Sequence, residues 1–280
     1  MRYVPFPRFL GMLEGELTFT PLHLLRSVND PLECHEITDP VVIITLLSEL
    51  PNGKEVLLEL KASTPPEIRK YWDSPKTPRD RTNQLAQAFH RFVSERRAAS
   101  CWFANGIESA AMWSSFALNG VAVRTDLQSL EAVLPTDREF LIASVRYRIR
   151  ERLEITPGNF RRFPYVALRP FLVKGREFQH EQEVRFITRC SPDQKHFCVD
   201  TEPSAKYIQE VIISPYLDYH SAVGLKRLIK SLLKKKFGAD MPPVNFSTIK
   251  GDLFDKERAS VELDALAREY MPADLDTLPL

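Results

Sequence analysis

The chain has 280 residues, 38 Lys and Arg against 37 Asp and Glu, 44% apolar and 27% charged residues, 21 prolines and 10 glycines. That composition is ordinary for a folded globular chain and excludes collagen, coiled coil and wholesale disorder, while a prior of roughly 150 residues per domain leaves one large domain or two small ones open. A net charge of +1 provides no whole-molecule attraction to polyanions, so any such attraction must come from local clusters. Glycine scarcity agrees with the lack of a G-x-x-x-x-G-K-[ST] or G-x-G-x-x-G run, which removes the sequence warrant for the two commonest phosphate-cradling loops.

The longest strongly apolar run, Val41 to Leu47, falls short of the roughly 18 residues that a membrane span needs. The opening Met1-Arg2-Tyr3-Val4-Pro5 has no apolar signal core. A cytosolic location and no membrane partner are therefore expected. Cys34, Cys101, Cys190 and Cys198 are never two residues apart, so no zinc knuckle is spelled out and reduced, mostly buried thiols are expected.

Along the chain, Phe6, Phe9, Leu10 and Leu13 recur at helical spacing and Leu17 to Thr20 alternate as a strand. Asn29-Asp30-Pro31 is a turn signal, because Asn and Asp side chains bond nearby amides and proline pushes Asp30 out of the helical region. The apolar stretch Val41 to Leu50 ends at Pro51-Asn52-Gly53, and Val56 to Leu60 resumes it. Thr64 to Arg81 is rich in proline and charge and reads as an exposed connection. Leu85, Ala88, Phe89, Phe92 and Val93 then predict an amphipathic helix ending near Arg97.

Strands are predicted at Ala99–Ala104, Gly120–Thr125, Val145–Arg150, Val184–Thr188, His196–Val199 and Glu210–Ser214, and helices at Ser109–Leu118 and Leu127–Leu134. A last helix carries Leu225, Leu228, Ile229, Leu232 and Leu233 on one side and stops at Gly238. Without regular βαβ spacing, the reading is α+β: one domain over residues 1–250, with a mainly helical or loop insertion around 40–97 and an acidic tail at 251–280.

Two cationic groups stand out. Lys226, Arg227, Lys230, Lys234, Lys235 and Lys236 suit the solvent side of a helix or a phosphate backbone. Arg146, Arg148 and Arg150 project to one side of a strand, where guanidinium forks suit either phosphate or neighbouring carboxylates. The chemistry-bearing segment is Glu181-Gln182-Glu183-Val184-Arg185. On a strand its two acids share a face roughly 7 Å apart. Mutual repulsion there would raise the pKa of one, as a general base requires.

Taken in order, Tyr3; Gly15 to Pro21; Asn29-Asp30-Pro31-Leu32-Glu33; Ala111-Met112-Trp113-Ser114-Ser115-Phe116-Ala117 with Gly120-Val121; Val145-Arg146-Tyr147; and Lys174 ahead of Glu181 to Arg185 resemble a bacterial domain-of-unknown-function family, number 2971. The pattern departs from the family at Ala104, where a serine is usual, and at Phe116, where a tyrosine is usual. More distantly, the family resembles the ADP-ribosyltransferase superfamily, in the branch with nucleic-acid-modifying toxins. That resemblance implies a bent, split mixed β-sheet with flanking helices and NAD as substrate in its cleft. Glu183 and Glu181 are the implied catalytic residues, Glu183 stabilising the oxocarbenium centre and Glu181 deprotonating the acceptor. Arg2, Tyr3, Trp113, Phe116 and Arg185 are the implied nucleotide contacts, with Trp113 and Phe116 as a stacking wall. Lys174 is an anion contact or a surface residue, the Asn29-Asp30 turn holds the first strand, and Glu33 is a partner for Arg185.

The acceptor is then a macromolecule, nucleic acid or protein, in a toxin or anti-phage setting. Two alternatives stay open: a non-catalytic module binding nucleic acid or protein through the arginine and lysine faces, and a metal-dependent nuclease in which the Asp30/Glu33 and Glu181/Glu183 pairs converge.

Overall fold

The computed structural model describes residues 1–25, 58, 61–62, 64–73, 77–148, 168–192, 194, 197–201 and 205–249. Asn29, Asp30, Cys34, Glu33, Arg150, the apolar stretches between Val41 and Leu50 and the segment 251–280 lie outside the described residues. In chain order the elements are β1 (Arg2–Pro5), α1 (Phe6–Leu13), β2 (Glu16–Pro21), α2 (Pro66–Arg69), α3 (Pro78–Glu95), β3 (Arg97–Phe103), α4 (Ala110–Phe116), β4 (Gly120–Arg124), α5 (Leu127–Glu131), β5 (Leu141–Ser144), β6 (Arg146–Arg148), β7 (Val173–Gly175), β8 (Glu183–Arg189), β9 (Phe197–Asp200), β10 (Glu210–Ile213), α6 (Tyr219–Phe237) and β11 (Val244–Phe246). They make a mixed α+β protein with more than one sheet. Among the described residues no helix is long and apolar enough to cross a membrane.

The chain divides into two compact units, each assembled from separated segments. The first takes Met1–Glu16, Asn105–Leu134 and the described residues from Asp200 on. Its sheet runs β1-β4-β10-β11, with β4 antiparallel to both β1 and β10, and β10 parallel to β11. A parallel pair needs a crossover, and α6 supplies it. Ala222, Ile229 and Leu233 of α6 are buried, and so are Val121, Ala122 and Val123 of β4. This continuous apolar run is what a strand covered on both faces requires. The helix ends at Gly238, whose φ of 62° is left-handed and favours glycine.

The second unit takes Leu17–Ala104 and Pro135–Val199. Its main sheet runs β5-β8-β3-β2-β9, and the pairs β5/β8, β8/β3 and β3/β2 are antiparallel. A separate parallel pair joins β6 to β7. Leu22, Ala99, Leu168, Phe171 and Ile187 form a core cluster, with Val93 and Cys101 packed at its margin.

Three local features depart from the periodicity. The helix marked by Leu85 to Val93 begins earlier, at Pro78, inside the stretch predicted to be an exposed connection. There the Thr77 side chain accepts a bond from the Asp80 amide, and Pro78 enters with its backbone already helical. Likewise α2 occupies Pro66–Arg69 of the same stretch. Finally, the strand read at Val145–Arg150 is seen as β6, Arg146–Arg148, with residues 149 and 150 outside the described ones, and a strand not read from the sequence, β5, ends just before Val145.

Gly120 marks the closest approach of β4 to β1. It pairs with Pro5, and a Cβ at Gly120 would lie 2.1 Å from the Val4 carbonyl oxygen. Gly120→Ala is therefore expected to destabilise the chain by about 2 kcal/mol and lower Tm by about 4–8 °C; an unchanged calorimetric melt would show that the two strands can part without loss.

Candidate functional site: a buried quartet of charges

β8 lies between β5 and β3, and Arg185 at its centre is opposite Cys101 on one side and Ala143 on the other. Alternation puts Glu183, Arg185 and Ile187 on one face of the strand. Ile187 belongs to the core cluster, so the same face that buries an isoleucine must also bury two charges. Arg185 is 0% exposed. Its guanidinium donates from Nε to Glu183 Oε1 at 2.7 Å, from Nη2 to Glu183 Oε2 at 3.0 Å, and from Nη1 to the Phe171 carbonyl at 2.6 Å. The fork is thus bidentate on one carboxylate and capped by a backbone oxygen, the arrangement that makes a buried arginine tolerable.

Lys174, on β7, is also buried. Its Nζ lies 2.6 Å from Glu181 Oε2 and 2.9 Å from Glu183 Oε2. Two cations therefore face two anions, and the charges of these four described residues cancel.

The two glutamates do not share a strand face as the E-x-E spacing predicts. Residues Arg176–Glu181 form a 3-10 turn, and Gln182 follows in the left-handed region with φ 40° and ψ 51°. Only then does β8 begin. This reversal carries Glu181 and Glu183 to one ammonium, closer than alternate strand residues lie. A non-glycine residue in that region costs about 1–2 kcal/mol. Surrounding bonds hold it: the Gln182 amide donates to the Gln179 carbonyl, and the Gln182 carbonyl accepts from the Ala104 amide. Gln182 itself is exposed, whereas Glu181 and Glu183 on either side are buried.

Glu183 is held through its backbone as well. Its amide donates to the Tyr147 hydroxyl at 2.7 Å, and its carbonyl accepts from the Val145 amide. Burial alone pushes the Glu183 carboxyl up, but the Arg185 charge and bonds, then Lys174 and the Cys101 thiol, outweigh it and bring the carboxyl down to about 2. The expected raised carboxyl is therefore not found at Glu183, which stays ionised. Burial, reinforced by the Glu183 charge, pushes the Cys101 thiol up. Burial likewise raises the Tyr147 phenol to about 12, against the bond from the Glu183 amide.

Several nucleotide contacts implied by the resemblance have other roles. Arg185 has no exposed surface, and its Nε and both terminal nitrogens already bond protein oxygens, so it positions Glu183. Glu183 is its described partner, and Glu33 lies outside the described residues. Arg2, Tyr3, Trp113 and Phe116 belong to the first unit, and the quartet to the second. Tyr3 and Trp113 do meet, ring centroids 4.9 Å apart and edge to face. They meet as core: Trp113 is 0% exposed and donates from Nε1 to Glu108 at 2.9 Å, while the Tyr3 hydroxyl accepts from the Ser109 amide. An enclosed indole offers no face for stacking. Arg2 is buried on β1 opposite Val123, and Phe116 is exposed. Arg146 is exposed; Arg148 lies beside it on β6, paired with Gly175.

Tyr147 belongs to the Val145-Arg146-Tyr147 motif, which by itself assigns it no role, and the left-handed turn at Gln182 is the feature that motif reading does not single out. The alternation that turns Arg146 outward was a signal for Tyr147. Comparison of the chain with family models, curated proteins and solved structures finds no match.

Because the folded Glu183 carboxyl sits below its ordinary value of 4.5, the folded chain binds fewer protons there than the unfolded chain. The resulting stabilisation, about 3 kcal/mol, is present above pH ~4.5 and lost as pH falls towards ~2. Denaturant titrations across that window should show the loss in the native chain and its absence in Glu183→Gln. Separately, Lys174→Met leaves two carboxylates facing each other and should cost about 3–5 kcal/mol. Adding Glu181→Gln should restore part of this; strict additivity in the double-mutant cycle would mean the two do not interact.

Proposed function

We propose that the chain is an ADP-ribosyltransferase-like enzyme that takes NAD as substrate and modifies a macromolecule, in a bacterial toxin or anti-phage system. The observation that carries this reading is Glu183, a carboxylate kept ionised and fixed in one orientation, with the second carboxylate of Glu181 on the same ammonium. The ordered set of motifs from Tyr3 to Arg185 supports the same reading, as does a late strand that opens on the second glutamate of the pair. In this reading the main sheet of the second unit is part of a bent, split transferase-like fold.

The chemistry requires the bond between ribose C1′ and the nicotinamide nitrogen to break, with its electron pair leaving on neutral nicotinamide. Positive charge then develops on the ribose. A carboxylate that needs no reorganisation to face that charge stabilises it, an effect worth a factor of about 10²–10³ for a single well-placed group. Glu183 has that role, and Arg185 keeps it ionised and aimed. The acceptor nucleophile forms the new bond to C1′ and gives its proton to Glu181. Lys174, shared by both carboxylates, holds them in place, and the half-buried Tyr147 beside Glu183 replaces Trp113 as the aromatic neighbour. Neither step uses a glycine-rich loop.

The nuclease alternative is less well supported. Glu181 and Glu183 face Lys174 and Arg185, cations where a metal would have to stand, while Asp30 and Glu33 of that alternative lie outside the described residues.

Calorimetric titration with NAD and mass spectrometry of released nicotinamide test the reading. Binding, with release that falls about 10²–10³-fold in Glu183→Gln, is expected. Glu181→Gln should impair transfer to an acceptor more than release. Both variants must first be shown folded by circular dichroism. If the native chain neither binds NAD nor releases nicotinamide in a Glu183-dependent way, the reading is wrong.

A further inference from the structure

The six cations of α6 divide into two sets. Lys226 is half-buried on the flank nearest the sheet, its ammonium 4.0 Å from the Phe246 ring centroid; burial, then Lys230, lowers its pKa. Lys236 donates to the Leu13 carbonyl. Both serve the fold. Arg227, Lys230, Lys234 and Lys235 are exposed, and among the described residues no salt bridge neutralises them. The helix dipole accounts for cations in the last turn, Lys234 and Lys235, but not for Arg227 and Lys230 farther up.

The side of α6 opposite its buried residues has a definite shape. At 3.6 residues per turn, its midline runs through His220, Gly224 and Ser231, with Arg227 and Lys234 along one margin and Lys235 on the other. Gly224 is exposed, and a Cβ built there would meet nothing within 4 Å. The fold therefore does not require glycine at this position, and it costs about 1 kcal/mol relative to alanine inside a helix. A low seam between cations does have a use, because it lets a polyanion's backbone come close to the helix. From Arg227 to Lys234 is about 10 Å along the axis, a length over which one strand of a B-form duplex carries about three phosphates. A lipid surface fits less well: the apolar side of α6, Ala222, Ile229 and Leu233, is buried, whereas an interfacial helix needs that side free.

We propose that the exposed side of α6, with Arg227 and Lys234 on one margin of the Gly224–Ser231 seam, Lys235 on the other and Lys230 on the flank beyond Arg227 and Lys234, binds the phosphate backbone of nucleic acid without reading its sequence. The proposal does not depend on the reading of Glu183. It gives the first unit a binding role of its own, and its failure would leave the NAD tests untouched.

Fluorescence anisotropy of the full chain with labelled duplex DNA and RNA of mixed sequence tests it. Binding at about 50 mM salt should weaken about 100-fold by 200 mM if all four cations meet phosphates. Arg227→Ala and Lys230→Ala should each reduce the slope of log affinity against log salt by about 1, and reversal of Arg227, Lys230 and Lys234 to Glu should abolish binding in a chain that stays folded by circular dichroism, with at most the small loss of Tm that an acid in the last turn brings. Gly224→Gln provides a second, opposed readout: the better helix former raises Tm, while its bulk on the seam weakens binding several-fold. Absence of binding at low salt, binding that survives the triple reversal, or anionic vesicles that bind the chain and are not displaced by duplex would each overturn the proposal.

Discussion

The two parallel bonds from Arg185 to Glu183 are the interaction on which the second unit depends. They lie on β8, an interior strand of its sheet, on the face that elsewhere buries Ile187 and Ala99. A buried ion pair is seldom more stabilising than apolar side chains of the same volume, yet removing one partner is severe because the other charge is left without compensation. Stability alone therefore does not account for the pair. What it does provide is a carboxylate of fixed charge and fixed direction, tied through its backbone to Tyr147 and Val145.

Lys174 and Gln182 extend that logic outward. Once Arg185 has neutralised Glu183, a second buried glutamate needs a second cation, and the ammonium of Lys174 is shared between the two. Sharing is possible only because the left-handed residue at 182 folds the E-x-E segment back on itself. The backbone strain and the charge pairing are thus one device. The turn brings the acids together, and the lysine offsets the repulsion that the turn creates.

This device also marks where the sequence stops being legible. Alternation and helical spacing are strong where elements are amphipathic, as in β2, α1 and α6, whereas β3 and β4 show as short apolar runs. The short strands β7 and β11 have three residues each, too few for a period to show, and the buried lysine of β7 reads as surface. The acids Glu181 and Glu183 were visible by residue type. Their geometry was not, because glutamine carries no preference for positive φ and alternation was assumed to run through it. Trp113 shows the opposite case: its spacing from Ala117 fits an ordinary helical core position, and that is what it occupies. The proline that opens α3 was read as loop composition, although the preceding Thr77 and following Asp80 form a cap.

The near-zero net charge conceals two opposite local rules. Inside the second unit, burial imposes neutrality: each charge of the Lys174–Glu181–Glu183–Arg185 set meets an opposite charge at hydrogen-bonding distance, since an unpaired ion would have to shed its hydration without return. On α6 no such constraint acts, because water screens the exposed cations at little cost. An excess of four like charges on one helix face persists there without a partner in the described chain, and like charges so close weaken an isolated helix. The helix dipole favours Lys234 and Lys235, but the fold neither needs Arg227 and Lys230 nor compensates for them. Gly224 stands among them in the same position, an expense to the helix that no packing contact requires. Two costs of different physical kinds on one exposed face, one electrostatic and one conformational, share a single explanation when that face meets a polyanion, and packing explains neither.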